Sequence, residues 1–197
     1  MNILIATTNP NKIKEIRPIL SDLPIKMYTL DKYPGIKEPE ESGQTFAENA
    51  RDKAIHYSTL SEVLTVAEDS GLEIDALDGE PGVLSARFNG DSYEKKFEAI
   101  YEQLKARNAT LSTARFVCSL AVADHKKIIF EASGTIEGQI AKNPNGNGGF
   151  GYDPIFFYPP YGQTLASVST EAKEVVSHRG KAFRLLRTFL KTSLLNY

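Results

Sequence analysis

The first half of the chain alternates between short strand-like runs and amphipathic helical segments, and this alternation restricts the fold more than any other feature. A buried strand is predicted over Ile3 to Ala6, followed by a helix with Asn9 as its N-cap and Pro10 at its first position. Another helix precedes a second strand, Val63 to Ala67. The inward face of this helix is formed by apolar residues at helical spacing: Phe46, Ala50, Ala54, Tyr57 and Leu60. Strands that alternate with helices predict parallel pairing in this half.

The second half of the chain predicts antiparallel strands. Residues 114–123 and 127–133 are strand-like runs separated by a short turn, and an aromatic strand follows from Ile155 to Tyr158. A helix capped near Asp91 or Ser92 precedes these strands, and a last helix is expected after Ser177. The inward residues of that last helix are Ala182, Leu185, Leu186, Phe189 and Leu190. We therefore predict a single α/β domain over residues 1–197, with a mixed sheet that is parallel early and antiparallel late.

The composition excludes several classes of function. Hydrophobic residues make up 41% of the 197 residues, which is enough for a buried core. With 23 basic and 25 acidic residues the net charge is -2, so no nucleic-acid polymer is expected as a partner. No run approaches the roughly 18 apolar residues of a membrane helix, so no membrane partner is expected either. The single cysteine, Cys118, lies in an apolar run, where a buried thiol and a cytoplasmic location are expected.

The stretch Thr7-Thr8-Asn9-Pro10-Asn11-Lys12 lies between the first predicted strand and its helix. Free amides at a helix N-terminus attract anions, and Lys12 adds a full positive charge, so this turn is a candidate phosphate-binding loop. It is not a Walker A loop, because the glycines and the Gly-Lys-Ser/Thr ending are missing. A plain capped helix is the alternative interpretation.

Acidic residues form a second candidate site. Glu68-Asp69-Ser70-Gly71 follows the strand predicted over Val63 to Ala67, and ligands of open α/β sheets bind beyond such strand ends. Three further acids, Glu38, Glu40 and Glu41, lie in the predicted loop from Asp31 to Gly43. Because Mg²⁺ typically takes one or two carboxylates and leaves its other positions to water and phosphate, Asp69 and one glutamate would suffice. A turn with a positive φ at Gly71 and a solvated acidic loop are the alternatives.

Two later stretches also carry chemistry. The first six residues of Gly146-Asn147-Gly148-Gly149-Phe150-Gly151-Tyr152-Asp153-Pro154 match the dinucleotide fingerprint, but that motif must open a helix after the first strand. We interpret them instead as a loop that presents Phe150 or Tyr152 to a flat ring, with a plain hairpin connection as the alternative. In Ser177-His178-Arg179-Gly180-Lys181, cations lie at the positive end of a helix, where a bound anion or polar ligand would explain them. An exposed basic turn is the alternative there.

Taken in order, these stretches resemble the inosine triphosphate pyrophosphatase family. The matching stretches span almost the whole chain: Thr7–Lys12, Thr45–Ala50, Glu68–Leu72, Gly79–Phe88, Gly148–Pro154 and Ser177–Arg179. The resemblance implies an elongated two-lobed α/β fold around a long mixed sheet flanked by helices, with the active site in the cleft between the lobes. It also implies a homodimer that hydrolyses ITP, dITP and XTP to the monophosphate and pyrophosphate with Mg²⁺, and so cleanses the nucleotide pool.

The resemblance also assigns roles to residues. Thr7, Thr8, Asn9, Pro10, Asn11 and Lys12 would hold the triphosphate. Asp69 matches the catalytic base and a metal ligand, and Glu40 matches the metal-binding acid, with Glu41 as a near alternative. The remaining substrate-binding positions are Asn49, Lys53, Ser70, Phe150, Gly151, Tyr152, Asp153, Lys173, His178 and Arg179. The chain departs from the family's common Asp-Asp-Ser-Gly at Glu68, which leaves the role of the first acid open.

Base selection would rest on hydrogen-bond donors. Hypoxanthine and xanthine carry an oxygen at C6 that N–H groups of His178 and Arg179 could meet, whereas adenine would leave those donors unpaired. The rejection of guanine would have to come from crowding near its 2-amino group. Two rival functions stay open, namely a Maf-like pyrophosphatase for other modified nucleotides and a non-catalytic nucleotide sensor.

Overall fold

The computed structural model describes residues 1–90, 92–109 and 111–194, so Asp91, one of the two predicted helix caps, lies outside the described residues. The chain divides into two compact units. The first unit comprises Met1–Asp69, Cys118–Gly134 and the chain from His178 onward, and the second comprises Ser70–Val117 and Thr135–Ser177. Among the described residues, no helix combines the length and the apolar character that crossing a membrane requires.

The secondary structure consists of five α-helices and seven strands within the described residues. The helices are α1 (Pro10–Leu20), α2 (Phe46–Ser61), α3 (Tyr93–Ala106), α4 (Thr170–Val176) and α5 (His178–Phe189), the last followed by a π-helical turn, Leu190–Leu194. The strands are β1 (Asn2–Ile5), β2 (Lys26–Thr29), β3 (Thr65–Ile74), β4 (Thr113–Asp124), β5 (Lys127–Ile140), β6 (Phe156–Tyr158) and β7 (Gln163–Thr164).

The strands form one mixed sheet in the order β2-β1-β3-β4-β5-β6-β7. Strand β1 is parallel to both β2 and β3, whereas β6 is antiparallel to β5 and β7. Neighbouring strands β4 and β5 are joined by only two residues, His125 and Lys126, a connection that requires antiparallel pairing. The predicted α/β class, with a sheet that is parallel early and antiparallel late, is confirmed.

Two apolar clusters form the core of the first unit, because alternate residues of β1 point to opposite faces of the sheet. Ile3 and Ile5 belong to a cluster that also holds the buried faces of α1 and α5. Leu4 belongs to the other cluster, against the buried face of α2. The α1 and α5 side of the sheet and the α2 side are therefore chemically separate environments.

One apolar cluster forms the core of the second unit. Helix α3 contributes Ile100 and Leu104, which pack with Leu72 of β3 and Phe156 of β6. The Ser92 hydroxyl accepts a hydrogen bond from the backbone of Lys95, which confirms Ser92 as the N-cap of α3.

Several predicted details are wrong. Strand β3 does not end at Ala67 but continues to Ile74, and Gly71 lies within it rather than in a turn with a positive φ. Leu60 and Leu185 were expected to face inward, but they are 55% and 51% exposed. The short elements β2 and α4 have no counterpart in the predicted set, because their few residues carry no clear hydrophobic periodicity.

Candidate active site

The site begins at the carboxyl end of β1. Ile5, the last residue of β1, pairs with Val66 of β3, so Glu68 and Asp69 lie on β3 just past the end of its neighbour. The turn from Thr7 to Lys12 leaves β1 at the same edge and enters α1. The predicted juxtaposition of an anion-binding turn and an acidic pair beyond a strand end is therefore present, although the acids lie within β3 rather than after it.

The turn into α1 is shaped by its own side chains. The Asn9 Oδ1 atom accepts hydrogen bonds from the backbone N–H groups of Asn11 at 2.9 Å and Lys12 at 3.4 Å, which confirms Asn9 as the N-cap. The Asn9 N–H donates to Thr7 Oγ1 at 3.2 Å. A cavity of about 570 Å³ lies beside this turn, with Thr7, Thr8 and Pro10 in its wall. This volume is sufficient for a small ligand, but among the described residues its wall contains none of Lys12, Asp69 and Lys53.

The two acids of β3 point to opposite faces of the sheet, because they are consecutive residues of a strand. Glu68 shares its face with Val66, which belongs to the core cluster of α1 and α5. Asp69 shares its face with Ala67, which belongs to the cluster of α2. Each acid therefore meets a different set of cations.

Glu68 lies in a buried ion-pair network. Its Oε1 atom is 2.5 Å from the Lys12 Nζ atom and 3.6 Å from a guanidinium nitrogen of Arg179. Its Oε2 atom accepts a hydrogen bond from the Cys118 thiol at 3.2 Å. Burial alone would raise the pKa of Glu68, but Arg179 and Lys12 outweigh burial and hold the pKa well below its usual value. Glu68 is therefore an anion at any pH at which the protein would work.

The same burial explains Cys118. Desolvation and the Glu68 carboxylate raise the pKa of the thiol well above its ordinary value, so the thiolate does not form near neutral pH. The prediction that Cys118 is buried is confirmed.

Asp69 is held from the α2 side. Its Oδ2 atom accepts a hydrogen bond from the Asn49 side-chain amide at 2.9 Å, and its Oδ1 atom is 3.5 Å from the Lys53 Nζ atom. Asn49 and Lys53 are four residues apart and therefore share one face of α2. The Asn49 Oδ1 atom accepts from the Gly43 N–H at 2.9 Å, which fixes the orientation of the amide.

Asp69 and Lys53 each influence the pKa of the other. Desolvation raises the pKa of Asp69, although the Lys53 ammonium and the Asn49 hydrogen bond oppose the rise. Burial alone would lower the pKa of Lys53, but Asp69 and Glu41 outweigh it and the pKa is raised. A carboxylate with an elevated pKa beside a fixed ammonium is typical of a general base.

Two acids near Lys53 are candidate ligands for a magnesium ion. The Lys53 Nζ atom contacts Glu41 Oε1 at 2.5 Å as well as Asp69, so these two carboxylates already lie around one cation. Glu40, by contrast, is exposed and makes no ion pair with any residue that the structure describes. No group of three or more potential metal ligands occurs in the described residues. Two carboxylates, completed by water and phosphate oxygens, are nevertheless what Mg²⁺ typically uses.

The Ser177-His178-Arg179 segment leads into α5, as predicted. His178 and Arg179 are 5% and 1% exposed, so the alternative of an exposed basic turn is wrong. Protein carboxylates balance the positive charge of Arg179 in this first helical turn. Arg179 donates a hydrogen bond to Glu15 at 2.6 Å and lies beside Glu68. Gly134 allows the close approach of this turn, since a Cβ atom there would lie 2.2 Å from the His178 carbonyl oxygen.

The second unit contains the aromatic loop, which we define as residues 146–153. The buried Asp153 accepts hydrogen bonds from the Phe150 N–H at 2.8 Å and the Lys173 ammonium at 2.5 Å. Lys173 also lies over the Phe150 ring, 4.8 Å from its centroid. Gly149 has a φ of +65°, and a Cβ atom there would lie 2.0 Å from Asp153 Oδ2. The glycine is therefore required by the loop's own packing, which a plain hairpin would not require.

The two aromatic candidates of this loop differ in exposure. Tyr152 is 4% exposed, packs edge-to-face on Tyr93, and donates its hydroxyl to the Ser85 carbonyl at 2.8 Å. Phe150 is half-buried. Phe150 is therefore the ring that could stack on a ligand, and Tyr152 supports the loop. Gly151, with a φ of +69°, joins Phe150 and Tyr152.

Ser70, another predicted substrate-binding residue, lies half-buried on β3 directly after Asp69.

One residue of the site was not predicted from the sequence. Glu15 binds Arg179, which lies 164 positions away in the sequence. It follows Lys12 by three residues on α1 and so shares its face, which is the signal that could have identified it.

The fold and the geometry together define an α/β protein that can hold a phosphorylated ligand at a helix N-terminus beside paired carboxylates. Sequence comparison identifies the family: the chain belongs to the Ham1 family, whose sequence model matches residues 3–189.

Curated relatives match along almost the whole chain. The dITP/XTP pyrophosphatase of an Exiguobacterium species is 46% identical over 188 residues, which cover 94% of this chain and 95% of the relative. The dITP/XTP pyrophosphatase of Geobacter sulfurreducens is 41% identical over 190 residues, which cover 95% of this chain and 96% of the relative.

Solved structures agree with this assignment. A HAM1 protein from Coxiella burnetii has a TM-score of 0.92 and 35% identity, covering 98% of this chain and 100% of its own. A nucleoside-triphosphatase / dITP/XTP pyrophosphatase from Mycobacterium abscessus has a TM-score of 0.76 and 35% identity, covering 94% and 98% of the two chains.

Proposed function

We propose that this protein hydrolyses the non-canonical purine nucleoside triphosphates ITP, dITP and XTP to the monophosphate and pyrophosphate. The observation that carries the proposal is the placement of Asp69, with its raised pKa, next to Lys53 at the strand end where the anion-binding turn begins. Membership of the Ham1 family and the relatives named dITP/XTP pyrophosphatase support the choice of substrate.

The phosphate end of the substrate is assigned to the turn into α1. The positive end of the α1 helix dipole and the Lys12 ammonium, whose side chain is 17% exposed, provide positive charge for a polyanion. Lys53, held between Glu41 and Asp69, supplies a second cation. Thr7, Thr8 and Asn11 complete the turn.

The catalytic base is assigned to Asp69. Its carboxylate can take a proton from the attacking water, and the Asn49 amide fixes the orientation of that carboxylate. Asp69 and Glu41 would hold Mg²⁺; Glu41 is preferred over Glu40 because it already contacts Lys53 in the same cluster. When bound, Mg²⁺ would neutralise phosphate charge and orient the leaving group. If water attacks the α-phosphorus, pyrophosphate leaves.

The base end is assigned to the aromatic loop and to the start of α5. The Phe150 ring can stack on a purine, and Asp153 and Lys173 hold the loop that presents it. His178 and Arg179 are retained as nucleotide-binding residues of α5. Hydrogen-bond donors in this region would favour a purine that carries an oxygen at C6. Adenine carries an amino group there and would leave these donors unpaired.

The family resemblance implies the assembly, and the single buried cysteine indicates the location. We propose a homodimer that works in the cytoplasm on small nucleotides of the cell's own pool. Sedimentation velocity of the purified protein tests the dimer directly, and a monomer at micromolar concentration would contradict it.

A substrate panel tests the function. We expect pyrophosphate release from ITP, XTP and dITP, little release from GTP and ATP, and loss of release when Mg²⁺ is removed. Activity confined to modified pyrimidine nucleotides would favour a Maf-like enzyme. Binding of ITP without pyrophosphate release would favour a nucleotide sensor.

A further inference from the structure

The capping box of α2 fixes the point at which the acidic loop, which we define as residues 38–43, joins the helix. Thr45 Oγ1 accepts a hydrogen bond from the Glu48 N–H at 3.1 Å. Glu48 Oε2 in turn accepts from the N–H groups of Gln44 at 2.8 Å and Thr45 at 3.1 Å. The end of the loop is therefore held by the first turn of α2, and Glu41 lies only a few residues before it.

Asn49 connects the acidic loop to Asp69. Its Oδ1 atom accepts a hydrogen bond from the Gly43 N–H at 2.9 Å, and its Nδ2 atom donates to Asp69 Oδ2 at 2.9 Å. Asn49 is 1% exposed, so water does not offer either group a replacement partner. A backbone N–H can only donate, so the atom that faces Gly43 is the amide oxygen and the atom that faces Asp69 is a donor. Gly43 therefore sets the direction of the amide.

This direction distinguishes the two oxygens of Asp69. The Asn49 amide engages Oδ2, whereas Oδ1 faces the Lys53 ammonium at 3.5 Å. A proton added to Oδ2 would lie against the amide hydrogen and would leave a buried donor without its acceptor, which is costly. Oδ1 is therefore the oxygen left to take a proton from water.

We infer that Gly43 and Asn49 are positioning residues that select Oδ1 of Asp69 as the proton acceptor of the reaction. The inference rests on the proposed function in taking Asp69 as the base. In the step concerned, an O–H bond of water breaks and its proton passes to Oδ1. The water oxygen forms its bond to the α-phosphorus while the bond from that phosphorus to the pyrophosphate oxygen breaks. Neither Gly43 nor Asn49 needs to touch the substrate for this role.

Asn49→Ala tests the inference by separating kcat from KM. Without the amide neither oxygen of Asp69 is fixed, and we expect kcat for ITP to fall about 10- to 100-fold. KM should stay within about threefold of the original protein, because no substrate contact is removed. The ratio of kcat in H₂O to kcat in D₂O should rise, because proton transfer to a misplaced base then limits the rate. Titration calorimetry with a non-hydrolysable ITP analogue counts the binding sites, so that kcat is expressed per folded site.

Gly43→Ala perturbs the same contact from the other side. A Cβ atom at Gly43 would lie 2.6 Å from Asn49 Oδ1, so the methyl group must push the amide away. We expect the same type of change as in Asn49→Ala, namely a lower kcat at nearly constant KM. Added to Asn49→Ala, it should lower kcat by less than about threefold further, because the oxygen that the methyl group would strike is absent. A contact of 2.9 Å with the Glu48 Cβ atom remains in that double variant.

Gly35→Ala is the matched control. Gly35 lies in the same connection between β2 and α2, but a Cβ atom there would have no neighbour within 4 Å. Neither Gly35 nor Gly43 has a positive φ, so alanine strains the backbone at neither position. We expect no change in kcat, KM or the isotope ratio from this control.

Several outcomes would overturn the inference. A raised KM with unchanged kcat in Asn49→Ala would mean that Asn49 contacts the substrate directly. An unchanged kcat in Gly43→Ala would mean that Gly43 does not set the amide, and kcat losses that simply multiply in the double variant would mean that the two residues act separately. An unchanged isotope ratio in Asn49→Ala would mean that proton transfer is not what the amide controls. Failure of the proposed function is distinguishable, because the original protein would then release no pyrophosphate from ITP.

Asn49→Ala leaves the Gly43 N–H and Asp69 Oδ2 without their shared partner and could prevent folding. Asn49→Asp then replaces it, because it keeps the shape of the side chain and an acceptor for the Gly43 N–H. Its second oxygen presents an acceptor to Asp69 where the amide presented a donor. We again expect a lower kcat at nearly constant KM, and a folded Asn49→Asp protein with the original kcat would overturn the inference.

Discussion

At the scale of single residues, the most informative feature is that neighbouring carboxylates have opposite ionisation behaviour. Glu68 has a strongly lowered pKa because two cations face it, whereas Asp69 has a raised pKa because burial outweighs its cation and its hydrogen bond. A carboxylate that stays ionised suits a fixed structural charge. A carboxylate with a raised pKa can take up a proton and suits a general base. We therefore assign the role of catalytic base to Asp69, the second acid of the pair.

Asp69→Asn tests that assignment. The amide keeps the shape of the side chain but cannot accept a proton, so we expect kcat for ITP to fall by about 10²- to 10⁴-fold. Binding of ITP, measured without turnover, should stay largely in place. Asp124→Asn, at the exposed end of β4, is the control and should leave both quantities unchanged. Near-normal turnover of Asp69→Asn would remove Asp69 as the base.

The pH dependence follows from the partners of Asp69. The base works in its deprotonated form, so kcat/KM should fall as the pH drops through the pKa of Asp69, which is raised above 3.8. Lys53 opposes that rise, and Lys53→Met should therefore raise the pKa further and move the acid limb of the kcat/KM profile to higher pH. A pH series with both proteins measures the shift. An acid limb that does not move, or that moves to lower pH, would contradict this coupling.

At the scale of secondary structure, the sequence predicts elements with local signals and misses those decided by distant partners. The cap of α1 at Asn9 is correct because the capping geometry depends on neighbouring residues. The predicted end of strand β3 at Ala67 is wrong, because charged residues such as Glu68 and Asp69 normally mark the end of a buried strand. Here those charges are buried and matched by Lys12, Arg179 and Lys53, which come from elsewhere in the chain. No local pattern contains that information.

The aromatic loop is the element whose backbone most directly supports the proposed base site. Gly149→Ala should strain the backbone and also push against Asp153, so Lys173 and the Phe150 N–H would lose their shared acceptor. We expect a loss of unfolding free energy larger than the ~1–2 kcal/mol of a left-handed alanine alone, together with a raised KM for ITP.

Gly162→Ala is the matched control for that prediction. Gly162 has nearly the same φ, +64°, but a Cβ atom there would have no neighbour within 4 Å. It should therefore show the backbone strain alone, without a change in KM. Denaturant unfolding and KM for ITP measure the difference. If both variants lose the same stability and keep the same KM, the contact with Asp153 does not organise the loop.

At the scale of the whole molecule, the order and type of the motifs are readable from the sequence, but their partners are not. The turn into α1 and the aromatic loop are where the sequence predicts them, since each depends on its own residues, whereas the acidic pair lies within β3 rather than after it. The different partners of the residues within each motif depend on the sheet. Strand alternation sends Glu68 and Asp69 to different faces, and the fold brings Glu41 to Lys53.

Ligand-induced stabilisation tests whether one nucleotide uses these motifs together. A ligand at 100 times its Kd adds about 2.7 kcal/mol to the unfolding free energy. For a chain of this size that corresponds to an increase of roughly 5–10 °C in Tm.

We expect a non-hydrolysable ITP analogue and tripolyphosphate each to raise Tm in the original protein. Lys12→Ala should reduce both shifts, because it removes charge from the phosphate end. Phe150→Ala should reduce only the shift with the ITP analogue, since stacking of ~1–3 kcal/mol requires a base. Equal losses with both ligands for Phe150→Ala would mean that the ring does not stack on the purine.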